Sequence, residues 1–168
     1  MEFYDVIKNR KSVRSYSNDA IPREALARIG EAVRLAPSAC NLQPWLFNVI
    51  LDKKIRENIC SVYTKDWLRE APAIVLVLGN KELAWKRVEN TSIIEMDIGI
   101  AMEHLVLAAT AEGLGTCWIC AYDIKKMGAV TGILPPWEVL AISPIGYPAK
   151  KQNFVAKKSL GEIFKIVD

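Results

Sequence analysis

The sequence predicts a fold in which a β-sheet is covered by helices on both faces. Residues 73–78, Ala-Ile-Val-Leu-Val-Leu, form a continuous apolar run between Pro72 and Gly79, and such a run is typical of a strand buried on both faces. Residues 92–111 form the longest segment with helical periodicity. Because 168 residues is about the length of one domain, we assign residues 1–168 to a single domain.

The other elements follow from local apolar patterns and from capping signals. Pro22 lies in the first turn of a helix whose apolar residues recur at helical spacing, and this helix ends before Pro37. Asp52 is placed to cap a helix that runs to about Cys60. Gly113 and Gly115 stop the long helix. The remaining predictions are strands at residues 45–51, 116–121 and 137–145, and helices at residues 123–130 and 160–166.

The second half of the long helix, residues 98–109, is apolar on almost every side. A soluble helix of this kind is buried at the centre of a fold or against another chain, so we expect a second copy of the chain to cover part of it. Glu95, Asp97 and Glu103 interrupt the helix, and it therefore falls short of the roughly 18 uninterrupted apolar residues of a membrane span. We predict no membrane association.

Composition excludes several further classes of protein. A hydrophobic content of 51% with 24% charged residues is ordinary for a globular chain and argues against long disorder. A formal charge of +3 is too mild to indicate a nucleic-acid partner. Residues 1–5 lack the features of a secretory signal. We therefore expect a cytoplasmic protein whose four cysteines are reduced thiols.

The first motif with chemical meaning is residues 10–16, Arg-Lys-Ser-Val-Arg-Ser-Tyr. In an extended segment, residues 10, 12 and 14 point to one side, so two guanidinium groups and a hydroxyl converge on one small anion, with Lys11 adding charge. This donor set suits a phosphate monoester. The alternative is an ordinary solvated basic turn, which is common for such clusters.

The second motif is residues 36–45, Ala-Pro-Ser-Ala-Cys-Asn-Leu-Gln-Pro-Trp. Asn41 offers both a donor and an acceptor, which matches the polar edge of a flavin ring. Alternatively, the amides of Asn41 and Gln43 satisfy backbone groups of a loop between a helix and a strand.

The third motif, Cys117-Trp118-Ile119-Cys120, has a spacing that fits two other chemistries. A redox dithiol normally opens a helix, where the thiol pKa is lowered, whereas this pair lies in an apolar strand-like run. A zinc site needs two more ligands, and the two other cysteines and the single histidine are irregularly spaced. We therefore predict no metal and keep a dithiol oxidoreductase as an alternative.

Taken together, these motifs resemble the nitroreductase family. The resemblance rests on Arg-x-Ser-x-Arg-x-Tyr at residues 10–16, the string at residues 36–45, Ala-Pro-Ala-Ile-Val at 71–75, Thr-Cys-Trp-Ile at 116–119 and Gly-Tyr-Pro at 146–148. It implies an α+β fold of three layers, with a mixed central sheet flanked by helices. It also implies a homodimer with FMN at the dimer interface.

The resemblance implies a set of FMN-binding residues. Residues 10–14 and a C-terminal lysine pair would bind the phosphate, residues 37–39 would pack against the flavin bound mainly by the partner subunit, and residues 117–120 would run along the ring with an amide N–H facing N5. Cys120 stands where glycine is common in the family. The implied set is Arg10, Lys11, Ser12, Arg14, Pro37, Ser38, Ala39, Asn41, Gln43, Cys117, Trp118, Ile119, Cys120, Lys157 and Lys158.

The activity that the resemblance implies is a two-step hydride transfer. NADH or NADPH reduces the flavin at N5, and a nitroaromatic, quinone or similar small-molecule acceptor then takes the electrons. Because the cofactor carries the chemistry, we expect no catalytic side chain. We expect residues from about 63 to 90 to form the acceptor surface. Alternatives are a dehalogenase-like or flavin-destroying enzyme of the same fold and an FMN-binding protein without turnover.

Overall fold

The computed structural model describes residues 2–153 and 155–167. Within these residues the chain forms seven helices and four strands. The helices are α1 (Phe3–Asn9), α2 (Arg23–Arg34), α3 (Lys53–Val62), α4 (Asp66–Arg69), α5 (Ile94–Ala111), α6 (Ile124–Thr131) and α7 (Leu160–Ile163), and a 3₁₀ turn spans Ala39–Asn41. The strands are β1 (Trp45–Ile50), β2 (Ala73–Asn80), β3 (Gly115–Thr116) and β4 (Trp137–Gly146).

The four strands form one sheet in the order β1-β2-β4-β3, and every neighbouring pair is antiparallel. Among the described residues, parallel pairing is limited to an isolated bridge between Ser12 and Thr116. The mixed character predicted for the sheet is therefore confined to that one bridge. All eight residues of β2 are buried, which confirms the prediction that this strand is covered on both faces.

Alternate residues of β2 point into two separate cores, because successive side chains of a strand point to opposite faces. Ala73, Val75 and Val77 pack with residues of α2 and α5 on one face. Ile74, Leu76 and Leu78 pack with residues of α3, α4 and α6 on the other face. The fold is thus α+β with a central sheet between two helical layers, as predicted.

The structure corrects several predicted element boundaries. The strand expected at residues 116–121 contains only Gly115–Thr116, followed by one bridge between Ile119 and Ile142, because residues 117–120 leave the ladder after Thr116. The last helix ends at Ile163 rather than residue 166, and the long helix begins at Ile94 rather than residue 92. The short helices α1 and α4 were not predicted, since neither is long enough to show a periodic apolar pattern.

The chain itself covers most of α5. Met102 and Leu105 are 0% and 2% exposed and belong to the core shared with α2 and β2. The exposed large apolar side chains of α5 are Met96 and Ile100. Burial at the centre of the fold therefore accounts for most of the apolar surface of α5, and the part that a second chain could cover is narrowed to the face of Met96 and Ile100.

Candidate functional site

The segment after α1 runs alongside β3, at the edge of the sheet. Ser12 forms the parallel bridge with Thr116, and the Val13 N–H donates to the Thr116 carbonyl at 2.8 Å. Val13 is buried, whereas Ser12 and Arg14 are exposed, as the alternation of an extended segment requires. The backbone pairing therefore turns the Ser12 and Arg14 side chains to one side.

The close approach of this segment to β3 depends on Gly115. A Cβ atom at Gly115 would lie 2.5 Å from Cγ2 of Val13 and 2.7 Å from its Cβ. Both distances are far below van der Waals contact, so only glycine permits the packing seen here. Glycine at position 115 of the Gly-Leu-Gly-Thr sequence is therefore required by packing against Val13, in addition to its role in ending α5.

Residues distant in sequence also hold this segment in place. The Tyr16 hydroxyl donates to the Val13 carbonyl at 2.7 Å, and the Tyr16 N–H donates to Oε2 of Glu70 at 3.2 Å. Burial raises the pKa of the Tyr16 phenol well above its usual range. The Trp67 ring lies beside the Arg14 guanidinium and packs against the buried Val13 and Tyr16. Trp67 and Glu70 carry no local sequence signal, so sequence reasoning missed both roles.

The Cys117 thiol lies next to the same segment. Burial raises the pKa of the Cys117 thiol, while the charge of Arg14 and the side chains of Ser12 and Arg14 act to lower it. Ser12 and Arg14 are thus brought together with Cys117 across a separation of about one hundred residues in the sequence. A redox dithiol requires a lowered thiol pKa, so the net direction of this shift does not favour the dithiol alternative.

Residues 117–120 present unused backbone donors on the side away from β4. The N–H and the carbonyl of Ile119 both bond to Ile142. The N–H groups of Trp118 and Cys120 point the opposite way, as alternation in an extended chain demands, and they donate to no group within the described residues. The Trp118 Nε1 donates to Cys120 Sγ at 3.2 Å, and both side chains are exposed.

The 36–45 motif forms a tight loop with three left-handed residues. Cys40, Asn41 and Gln43 have φ values of 49°, 55° and 48°, which are uncommon for residues other than glycine. The Gln43 N–H donates to Ser38 Oγ at 2.9 Å, and the Gln43 side-chain amide donates to Asn41 Oδ1 at 2.9 Å. These bonds support the interpretation that the two amides stabilise the loop. Both side chains remain exposed.

Asp97 ties this loop to α5. Its Oδ1 accepts a hydrogen bond from the Ala39 N–H at 3.0 Å, and the side chain is 1% exposed. Its Oδ2 is buried with no hydrogen-bond partner among the described residues. The sequence signal for this role is weak, because Asp97 is one of three acidic residues, with Glu95 and Glu103, that interrupt the helix. The Trp118 ring lies beside the same end of α5. A Cβ atom built at Gly99 would be 3.8 Å from Cη2 of Trp118.

One chain brings only part of the predicted site together. No hydrogen bond, ion pair or ring contact within residues 2–153 and 155–167 joins the loop at 37–43 to residues 10–14. Lys157 and Lys158 are exposed. Lys11 Nζ donates to the carbonyl of Gln152 at 3.2 Å and so contacts the loop that leads to these lysines.

The structure narrows the expected acceptor surface. Residues 73–80 lie within the predicted region of 63–90 but form the fully buried strand β2, so they cannot line a substrate site. Only the flanking parts of this region reach the surface. His104 is partly buried, with Nδ1 2.9 Å from the Ala32 carbonyl.

No helix in the described part of the chain is long and apolar enough to cross a membrane. Nor do those residues contain a group of three or more His, Cys, Asp or Glu side chains that could hold a metal ion.

The fold and its edge site define an α+β protein of the nitroreductase type. A solved nitroreductase-family structure from Clostridium novyi NT shares 35% identity and superposes with a TM-score of 0.82, over 88% of this chain and 86% of that one. A structure described as an FMN-dependent nitroreductase from Clostridium difficile R20291 shares 25% identity with a TM-score of 0.81, over 95% and 96% of the two chains.

The sequence profile of the nitroreductase family matches residues 7–62 and 59–147, and the chain therefore belongs to the nitroreductase family. A protein of Archaeoglobus fulgidus, provisionally named NADH dehydrogenase/NAD(P)H nitroreductase, is 30% identical over 91% of this chain and 89% of its own length. An iodotyrosine deiodinase of Thermotoga neapolitana is 26% identical over 86% of this chain and 88% of its own length.

Proposed function

We propose that the protein is an FMN-dependent oxidoreductase that passes hydride from NADH or NADPH to a nitroaromatic, quinone or similar small-molecule acceptor. The observation that carries this proposal is the meeting of two motifs at one edge of the sheet. The exposed side chains of Ser12 and Arg14 lie beside Cys117. Within the three residues that follow Cys117, Trp118 and Cys120 offer free backbone N–H groups.

The donors at this edge have the chemistry that FMN requires. In the proposed site Arg10, Lys11, Ser12 and Arg14 bind the phosphate, since guanidinium and hydroxyl groups make strong charge-assisted bonds to it. The four ion pairs among the described residues involve none of these side chains, so their charges are available for an anion. Lys157 and Lys158, which are exposed, complete the proposed phosphate site.

We propose that the free backbone N–H groups of Trp118 and Cys120 bind the polar edge of the flavin ring. Cys117 and Ile119, which alternate with them along the segment, are buried and pack against the rest of the protein. FMN, when bound, accepts hydride at N5 and passes electrons to the acceptor. The role of the chain is to bind and orient the reactants, and we assign no side chain to proton transfer.

We propose that the functional form is a homodimer in which Pro37, Ser38, Ala39, Asn41 and Gln43 complete the partner's flavin site. Two observations support this proposal. The loop lacks any described polar contact with residues 10–14, and large apolar side chains are left open on three elements. These side chains are Phe3, Tyr4 and Ile7 of α1, Met96 and Ile100 of α5, and Val155, Leu160, Ile163, Phe164, Ile166 and Val167 of the C-terminal segment. A soluble chain rarely exposes so much apolar surface unless a partner covers it.

The cytoplasm is the proposed location, because all four cysteines are free thiols, which is typical of proteins in a reducing compartment. We further propose that residues 1–168 form one domain, since both helical layers pack on the single strand β2.

Reductive dehalogenation is a second candidate reaction. It is favoured by the 26% identity to the Thermotoga neapolitana iodotyrosine deiodinase over most of both chains. The two reactions differ in the acceptor, so one panel that contains nitroaromatics, quinones and iodotyrosine separates them. Release of iodide with no turnover of nitroaromatics or quinones would favour the second candidate.

The decisive experiment begins with extraction of the bound flavin and its identification by chromatography. We expect FMN, because no Gly-rich segment for a pyrophosphate accompanies the phosphate motif. Anaerobic mixing with NADH or NADPH should bleach the flavin, and an acceptor should restore its colour. FAD, or no flavin after reconstitution, would contradict the proposal, and bound FMN that neither nucleotide bleaches would identify a binding protein without turnover.

A matched pair of variants tests the phosphate site. Arg14→Ala should weaken FMN binding by about 1.5–3 kcal/mol, the usual worth of a hydrogen bond to a charged group. Arg34→Ala is the control, because Arg34 is an exposed arginine paired with Glu31 on α2. Equal FMN affinity in Arg14→Ala and the wild type would remove Arg14 from the site.

A further inference from the structure

A cavity lies at the edge of the protein where the start of α2 approaches α3 and α4. It has a volume of about 690 Å³ and is bordered by the start of α2, by α3 and by α4. This volume is within the range of small-molecule sites, roughly 300–1,000 Å³. None of its lining residues belongs to the donor set proposed for FMN or to the apolar surface proposed for the dimer.

The cavity has an excess of positive charge. Four cationic side chains line it, Arg23, Lys53, Arg56 and Arg69, against the two carboxylates of Glu57 and Glu70. Among the described residues, the ion pairs involve none of these four cations. Glu70 also accepts a hydrogen bond from the Tyr16 N–H. Four cations against two carboxylates leave the lining with a net formal charge of +2.

Two of the guanidinium groups donate hydrogen bonds to backbone carbonyls. Arg56 donates to the Ala71 carbonyl at 2.7 Å and to the Leu51 carbonyl at 3.4 Å. Arg69 donates to the Cys60 carbonyl at 3.4 Å. These neutral partners orient the side chains without cancelling their charge, and both charges act on the Cys60 thiol in the cavity lining. The two arginines thus approach one region of the cavity.

The remainder of the lining is largely apolar. Leu68 is 0% and Cys60 is 2% exposed in the cavity wall, and Leu51 and Pro72 are partly buried beside them. A site with an apolar wall and a few oriented polar groups is the usual design for an organic ligand. Inorganic phosphate alone would leave that wall without a contact.

We propose that this cavity binds a small organic anion, in which a carboxylate or phosphate group contacts Arg56 and Arg69 and an apolar body packs on the partly buried side chains of Leu51 and Pro72. The binding of this anion is independent of the flavin chemistry. The cavity and the proposed flavin site are nevertheless neighbours, since Arg69 lines the cavity while Trp67 of the same helix contacts Arg14.

The test uses the FMN-loaded protein, so that the flavin phosphate occupies residues 10–14. Phenyl phosphate, benzoate and inorganic phosphate are titrated separately by calorimetry to about 10 mM, which covers weak binding of fragment-sized anions. Amide signals of ¹⁵N-labelled protein report where each probe binds. We expect phenyl phosphate or benzoate to shift signals of α3 and α4 and to bind more tightly than inorganic phosphate.

Two variants test the cations, and a third serves as the matched control. Arg69→Met and Lys53→Met should each weaken binding of the organic anion, with a loss of about tenfold or more for Arg69→Met. Lys125→Met should bind normally, because Lys125 is an exposed lysine in the first turn of another Asp-capped helix, as Lys53 is. Lys53 is exposed, so its replacement tests the charge even if Arg69→Met fails to fold.

Four results would overturn the proposal. The first is that neither organic anion binds, and the second is that Lys53→Met and any folded Arg69→Met protein bind the anion as tightly as the wild type does. The third is an affinity for inorganic phosphate as high as for phenyl phosphate. The fourth is a set of signal changes confined to residues 10–14 and 117–120. The last result would place the probe in the flavin site instead.

Discussion

The guanidinium of Arg14 lies 6.0 Å from the centroid of the Trp67 ring, which is the outer limit of a cation–π contact. Trp67 is itself held by an edge contact with Tyr63, at 6.0 Å between ring centroids. The one-turn helix α4 therefore supports the side chain that we propose to bind the FMN phosphate. We therefore propose that Trp67, which carries no local sequence signal, positions Arg14.

Trp67→Leu should weaken FMN binding by about two- to fivefold, because a cation–π contact at an exposed site is worth about 0.5–1 kcal/mol. Trp67→Phe should retain most of the affinity, since it keeps an aromatic face beside Arg14. Fluorescence titration of the apoprotein with FMN measures both effects.

Trp85→Leu is the control for this prediction, because Trp85 is also partly exposed and makes no ring contact with a cation in the described part of the chain. An unchanged FMN affinity in Trp67→Leu, or the same loss in Trp85→Leu, would show that Trp67 does not position Arg14.

Replacing both Cys117 and Cys120 by Ala should leave NAD(P)H oxidation largely intact. Burial raises the pKa of the Cys117 thiol, so this group is neutral rather than a reactive thiolate near neutral pH. The double variant and the wild type are compared by steady-state turnover at equal flavin content. Loss of turnover with FMN still bound would favour dithiol chemistry.

Alkylation of the native wild type provides an independent check on the thiols. The exposed Cys40 and Cys120 should react before the buried Cys60 and Cys117.

Gly115→Ala should lower the free energy of unfolding by about 1–3 kcal/mol, the usual cost of overpacking. The added Cβ would overlap the Val13 side chain at 2.5 Å, and the segment that carries Ser12 and Arg14 must move to relieve the overlap. FMN affinity should therefore fall as well. Chemical denaturation and flavin titration measure the two effects.

Gly30→Ala provides the comparison, because no atom lies within 4 Å of a Cβ built at this position of α2. Here the substitution should raise the free energy of unfolding by about 0.5–1 kcal/mol through helix propensity. If both variants change stability in the same direction, the close approach at Gly115 is not the cause.

Stability should fall at alkaline pH because of Tyr16. Burial raises the pKa of its phenol in the folded state, whereas the unfolded chain ionises at about pH 10. The unfolded state therefore loses its proton first, so the stabilising contribution is complete below about pH 10 and decreases by about 1.4 kcal/mol per pH unit above it.

Denaturant unfolding of the wild type and Tyr16→Phe between about pH 8 and pH 11 tests this dependence. Tyr16→Phe loses the hydrogen bond to Val13 and should be less stable at pH 8, but its stability should fall less steeply with pH. Parallel pH profiles for the two proteins would contradict the assignment.

Ile100→Glu should separate the proposed dimer and release FMN. Ile100 is 37% exposed on the open face of α5, so a carboxylate there would be buried against the partner at a cost of several kcal/mol. Leu134→Glu is the control, because Leu134 is 74% exposed in the turn after α6. Sedimentation with detection of flavin absorbance measures both outcomes, and an Ile100→Glu dimer that keeps its FMN would exclude this face.

The sequence by itself determined the elements whose signals are local. The run at residues 73–78 identifies β2, because a strand covered on both faces needs apolar side chains at every position. Asp52 caps α3 as its position indicates. The motifs at residues 10–16, 36–45 and 116–119 were sufficient to identify the family, since each is a short contiguous string.

Only the tertiary structure decided which distant residues meet. The pairing of Ser12 with Thr116, the contact of Trp67 with Arg14 and the bond from Ala39 to Asp97 each join parts of the chain that are far apart in sequence. The surface of α5 shows the same limit. Its composition is apolar on nearly every side, but the packing of α2 and β2 determines that Leu105 lies in the core while Ile100 is left open. The composition of α5 indicates how much apolar surface must be buried. The arrangement of the other elements determines which part of that surface is buried within the chain and which part is left for a partner.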